Sequence, residues 1–229
     1  MTTKTSGAAV FVLALLSLSC LASAGTPPDE LVAGADWKLV TSADGISVYR
    51  RAVDGSSIDE IRAETDVPAD LDAVAALLQD VSRRVQWDPT CQQARLLKRD
   101  GDLAYLAYYQ IDLPWPVQDR DVVMTTRVTH EHQGVNIMSV ATPDEEVPQN
   151  ADFVRILQAR EHWQLSEADS GITRVRLLTH VEPAGPIPSW LINAMSAEVP
   201  ESMLRSIRQI AEAHDAGSSH VQIAEPAAR

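Results

Sequence analysis

The stretch from residue 91 to residue 182 restricts the fold most, because β-rich runs follow one another there before one long helical segment. The runs cover about 91–98, 102–111, 120–130, 134–142, 154–166 and 171–182, with Gly101, Gly134 and Gly171 at breaks between them. Several span ten residues or more, a length that suits a large, strongly curved antiparallel sheet. The segment after them places Leu191, Met195, Val199 and Met203 four residues apart, and Leu204, Ile207 and Ile210 extend the same stripe. That spacing predicts a long amphipathic helix over about 187–214, with Pro200 expected to kink or split it.

Upstream, three short strands are expected at "WKLVTS", "ISVYRRA" and "SIDEIRAETDV", separated by the turn pairs Asp44-Gly45 and Asp54-Gly55. Residues 68–87 change period. Pro68 suits a first helical turn, and Leu71, Val74, Leu77 and Leu78 share one face. The order of strands, helix, many strands and long helix is an α+β arrangement, with helices gathered on one face of an antiparallel sheet. A curved sheet closed by one amphipathic helix leaves room for a cavity between them.

The ends have a different character. Lys4, the apolar run from Ala8 to Leu21 and the small residues Ala22-Ser23-Ala24 form the pattern of a secretory signal ending at Ala24. Residues 25–34 are expected to be a linker, 35–214 one domain and 215–229 a disordered tail. An uncleaved anchor, or lipidation at Cys20, is the alternative for the first segment. After cleavage, Cys91 is the only cysteine of the exported chain, so no disulfide forms within it, and an inert buried thiol is expected. The net charge of −13 excludes nucleic acid as a natural partner, since no basic cluster offsets it.

Chemistry-bearing motifs are scarce. The chain has no Gly-x-Ser-x-Gly elbow, His-Glu-x-x-His pair or phosphate-binding glycine loop. His130 and His132 flank Glu131 on an expected hairpin tip, without a third metal ligand in view. No catalytic residue, metal or cofactor is assigned.

Several segments carry a resemblance instead: Trp37 with "DGISVYRR", then "LLQDVSRRVQWDPT", "PWPVQDRDVV" and "VEPAGPIPSWLIN". In this order, across residues 37–211, they resemble the START family of lipid-transfer domains. The resemblance implies a helix-grip fold, a curved antiparallel sheet wrapped around the C-terminal helix with one lipid in the internal cavity. It also implies binding without catalysis, transient membrane contact and a monomer, placed by the signal in the periplasm or outside the cell. The acid and base that some sterol-binding members carry on adjacent strands fall at Ala107 and Thr126, so sterol preference does not transfer. The alternatives are a cyclase-like enzyme on the same fold and an interaction module with a filled cavity.

Strand alternation selects the residues expected to face a ligand. They are Val122, Met124, Thr126 and Val128 on one strand, and Leu157, Glu161 and Trp163 on another. Tyr105, Ala107 and Tyr109 come from a third strand, and Leu191 and Met195 from the last helix. Glu161 stands in an apolar register, where an ionised carboxylate needs a partner, a water path or a ligand donor. Trp115 lies between Pro114 and Pro116 on a stiffened connection, and with Val117 and Trp190 it is the candidate gate or membrane-touching tip. The competing role for Trp115 is to plug the sheet edge onto the helix. Arg120 is expected to hold this loop by pairing with an acid such as Asp88.

Overall fold

Period-two patterning builds most of this molecule. The computed structural model describes residues 36–143 and 147–219, and the side chains of all of these but 189, 190, 193, 194 and 214–219. The expected signal, the linker and residues 220–229 of the expected tail lie outside the described residues. In chain order come strands β1 (Lys38–Ala43), β2 (Ile46–Arg51) and β3 (Glu60–Val67), then helix α1 (Leu71–Gln79), a 3-10 turn (Val81–Arg83) and helix α2 (Arg84–Trp87). Strands β4 (Cys91–Asp100), β5 (Ala104–Ile111), β6 (Arg120–Glu131) and β7 (Gly134–Ala141) follow. The chain ends with β8 (Val154–Arg155), β9 (Gln158–Asp169), β10 (Ile172–Glu182) and helix α3 (Ser189–Ser219).

The strands form one sheet in the order β1-β2-β3-β10-β9-β7-β6-β5-β4, antiparallel throughout this path, while the short β8 pairs parallel with β6. Their inner faces and the helices share two apolar clusters. One joins Val48, Ala63, Trp163 and Leu177 to Leu204 and Ile207 of α3. The other gathers Tyr105, Ala107, Val122 and Met124 at the far side of the sheet. Full burial of Leu204 and Ile207 makes their side chains worth roughly 1.5–3 kcal/mol each, which clamps α3 against the sheet.

The helical run expected over 68–87 is broken at Asp80. Its backbone is extended (φ −79°, ψ 97°), and its carboxylate accepts from the Ser82 N–H at 3.0 Å, which starts a new turn. The break lets α2 bury Trp87 against Trp163, edge to face, with ring centroids 5.6 Å apart. Pro200 does not split α3, which runs through it, and the helix reaches Ser219, into the tail expected to begin at residue 215.

The strand expected over 154–166 is two strands. Residues 154–155 leave the path of β9 to join β6, held by the Ile156 N–H on the Asp121 carbonyl at 2.8 Å and by a forked Arg155–Asp121 ion pair at 2.7 and 2.8 Å. The Arg155 guanidinium also lies 5.9 Å from the Tyr108 ring centroid, on the sheet face opposite Val122 and Met124, where Asp121, Val123 and Tyr108 are buried.

Candidate functional site

Between the sheet and α3 lies a cavity of about 410 Å³. Its wall is mostly apolar, with Ile61, Leu177 and Val181 from the sheet and Met195, Val199 and Met203 from the helix. One end reaches solvent at Arg50 and Asp59, whose side chains stand 3.8 Å apart and are half and about a third exposed. The connection between β5 and β6 borders the cavity through Leu113 and Arg120.

The other end is closed by charge. Arg84 on α2 donates from Nε to Asp88 at 2.9 Å, one helical turn on, and from its two terminal nitrogens to Glu161 of β9 at 3.0 and 2.7 Å. Its guanidinium also stacks on Trp87 and Tyr109, 5.0 and 4.7 Å from their ring centroids. Burial would lower the Arg84 pKa, but Glu161 and Asp88 outweigh it and hold it well above its ordinary value. Burial likewise pushes the Glu161 carboxyl up. The Arg84 charge and hydrogen bonds, joined by the Trp163 indole N–H at 2.7 Å, more than reverse this and keep it below the usual carboxylate range. Arg84 and Glu161 therefore stay ionised.

Behind this cluster are two smaller spaces. A chamber of about 60 Å³ lies among Cys91, Tyr109, Val122 and Met124, and a recess of about 10 Å³ among Tyr105, Trp87, Ser139 and Trp163. Arg84 and Glu161 line all three spaces and form the partition between them. Burial raises the Cys91 thiol to about 11, which leaves it protonated and unreactive at neutral pH.

The residues singled out by sequence fall into distinct places. Met195 and Glu161 line the main cavity; Tyr109, Val122 and Met124 line the rear chamber; Tyr105 and Trp163 line the recess. Ala107 and Val128 are packed in the two clusters, Thr126 shares a 2.8 Å hydrogen bond with Ser139, and Leu191 is buried outside the cavity wall. Leu157 is 61% exposed, a correction to the inward position expected for it. The break between β8 and β9 shifts the alternation, and Ile156 takes the inward place instead.

Trp115 is 90% exposed, which excludes its role as a plug between sheet and helix. Val117 is half-buried beside it, and the Trp190 side chain lies outside the described residues. Arg120 holds its loop, but through carbonyls and not through Asp88: Nε and a terminal nitrogen donate to Pro183 and Ala184 at 3.0 and 2.7 Å, and the other terminal nitrogen to Gln118. The Pro183 and Ala184 carbonyls are presented by a turn with left-handed backbone at Ala184 and Gly185, a conformation glycine adopts without strain. Sequence reading missed Arg84 and Asp88 as cavity residues; their i, i+4 spacing in "RVQWD" was the available signal.

Ser56, His180 and Glu182 also meet, on the outer face. The His180 Nε2 lies 3.3 Å from the Ser56 hydroxyl and 3.5 Å from Glu182, and the Ser56 hydroxyl itself donates to Glu182. A proton relay needs the serine and the acid on opposite imidazole nitrogens, so this trio lacks triad geometry.

Comparison with known proteins agrees with the architecture. The family model "START domain" matches residues 29–216. An uncharacterised protein of Pseudomonas aeruginosa is 34% identical over 177 residues, covering 77% of this chain and 87% of that protein. The rat phosphatidylcholine transfer protein is 29% identical over 168 residues, covering 70% and 76%. Among solved structures, a STAR-related lipid transfer protein from Xanthomonas axonopodis superposes with a TM-score of 0.70 at 33% identity, covering 77% of this chain and 98% of that one. Human StAR-related lipid transfer protein 5 shares the fold with a TM-score of 0.75 at 16% identity, covering 82% and 91%. A curved antiparallel sheet closed by a C-terminal helix, together with this match across most of its length, makes the chain a member of the START domain family.

Proposed function

We propose that this protein binds one hydrophobic, lipid-like molecule in the cavity between sheet and α3 and carries it between membranes without changing it chemically. The observation that supports this reading best is the 410 Å³ space with mainly apolar walls inside a START fold. Burying a few hundred square ångströms of ligand hydrocarbon at ~25 cal/mol per Å² yields several kcal/mol, enough for capture without a catalytic group. The exposed Trp115, with an apolar ring and an N–H at the tip of its loop, has the chemistry of a membrane-interface residue. In this reading it touches the bilayer while Leu113 and Arg120 on the same loop border the ligand, so loop movement couples docking to release. The protein acts as a monomer, exported by its N-terminal signal to the periplasm or beyond.

The test is transfer of a fluorescent lipid between donor and acceptor vesicles, run beside native mass spectrometry of the protein after exposure to the same vesicles. Faster transfer together with a stoichiometric adduct supports a carrier. An absence of both overturns it.

A further inference from the structure

Arg120 is 2% exposed and borders the main cavity, yet no carboxylate among the described residues stands within ion-pair distance of it. The other charged groups on that wall are matched, Arg50 by Asp59, and Arg84 by Glu161 and Asp88. From this buried cation without a counter-charge, and resting on the carrier reading, we infer that the cargo is an amphiphile with an oxyanion at its polar end, a carboxylate or a phosphate ester, and that Arg120 binds it.

A guanidinium has five N–H donors. Three of those of Arg120 go to the Pro183, Ala184 and Gln118 carbonyls, which leaves one on each terminal nitrogen without an acceptor among the described residues. The carbonyls fix the side chain but supply only partial charges. The neighbouring acid, Asp119, serves the loop instead, its carboxylate accepting from the Leu113 N–H at 2.9 Å. Burial accordingly draws the Arg120 pKa below its ordinary value, opposed only by Asp119, whereas Arg84, also buried, is held above its own by Glu161 and Asp88. Arginine stays protonated at neutral pH in either setting, so the charge at Arg120 is present and lacks a close partner. A buried charge is costly until it is paired and hydrogen-bonded. An oxyanion brings both the opposite charge and the missing acceptor atoms, and guanidinium is the side-chain group best matched to carboxylate and phosphate. The polar end would then sit between the Trp115 loop and the lead into α3, which Arg120 already ties together, with the hydrocarbon running inward over Ile61, Leu177 and Met203.

The experiment compares three probes with the same hydrocarbon chain: laurate, dodecyl phosphate and dodecanol, each kept below its micelle or solubility limit near neutral pH. Affinities for the full-length protein come from isothermal titration calorimetry, with adducts counted by native mass spectrometry. The net charge of −13 disfavours anions in general, so a preference for them has to arise locally. The expected result is binding of laurate or dodecyl phosphate at least about tenfold tighter than dodecanol, the two anionic arms showing which oxyanion is taken. Arg120→Met should collapse that preference, lowering the affinity for the anion by about tenfold more than the affinity for dodecanol, whereas a purely structural loss would lower both alike. Arg120→Lys, which keeps the charge on one nitrogen, should retain part of the preference and serves where the Met variant does not fold. Equal or tighter binding of dodecanol by the wild type, or a preference that survives Arg120→Met, overturns the assignment and leaves the carrier reading standing. Binding of none of the three overturns both.

Discussion

The buried cluster behind the cavity allows a test in which two removals that look alike should differ in cost. Arg84 carries one positive charge, and Glu161 and Asp88 together carry two negative charges, all within hydrogen-bonding distance of its guanidinium. Glu161→Leu leaves the Arg84–Asp88 pair intact and loses one ion pair, so it should cost about 2–3 kcal/mol. Arg84→Met keeps much of the side-chain volume but strands two buried carboxylates, and should cost about 4–5 kcal/mol. With a urea m-value of about 2 kcal/mol/M, these correspond to midpoint shifts of roughly 1 M and 2 M. The double variant should cost less than the sum, with a coupling of about 2 kcal/mol or more. Urea titrations followed by tryptophan fluorescence suit the measurement, since Trp87 and Trp163 are both buried beside the cluster.

The pH dependence adds an independent sign. In the wild-type protein the Glu161 pKa is depressed, so its contribution is present above the unfolded carboxylate value of about 4.3 and is lost as pH falls through the depressed folded value. In Arg84→Met the cation is gone and burial dominates, which raises the carboxyl pKa. The stability deficit of that variant should therefore shrink as pH falls from 7 toward 5. A Glu161→Leu cost equal to or above that of Arg84→Met, or a deficit that does not depend on pH, would refute the charge accounting.

Three further outcomes are expected. Trp115→Ala should change stability by less than about 0.5 kcal/mol, because the ring is 90% exposed, yet slow vesicle-to-vesicle transfer more than it weakens equilibrium binding; equal effects on both would remove the membrane-tip role. Met195→Trp should fill the cavity and abolish ligand adducts in native mass spectrometry with little change in the unfolding midpoint, and unchanged adducts would contradict the cavity assignment. Gly134→Ala should destabilise by about 1–3 kcal/mol, read as a lowered thermal midpoint, because the new methyl would sit 2.6 Å from the Leu165 carbonyl oxygen, a backbone atom of the paired strand.

Much of the fold was legible because each strand's alternation and the stripe on α3 are local patterns. The run from Cys91 to Glu182 has the period of a sheet, and Leu204 and Ile207 sit where the helical spacing requires. Errors arose where a side-chain contact interrupts a local pattern. Asp80 breaks a helical run by capping Ser82, and the Arg155–Asp121 pair draws residues 154–155 onto β6, which put Leu157 on the outside and Ile156 on the cavity.

Glu161 shows the division most clearly. Its position in an apolar register meant that an ionised group there required a partner, a water path or a ligand donor. That partner is Arg84, 77 residues away in the chain, and nothing in the local sequence selects it over the other arginines. The sequence by itself determined most of the elements, most of the inward faces and the need to satisfy a carboxylate in an apolar register, since these follow from periodicity and desolvation along the chain. Only the tertiary structure decided which cation meets Glu161, that the pair divides the interior into a larger and a smaller space, and how much room remains. Those depend on how β9, α2 and α3 pack in three dimensions, and a volume enclosed between distant segments is not a property of any one of them.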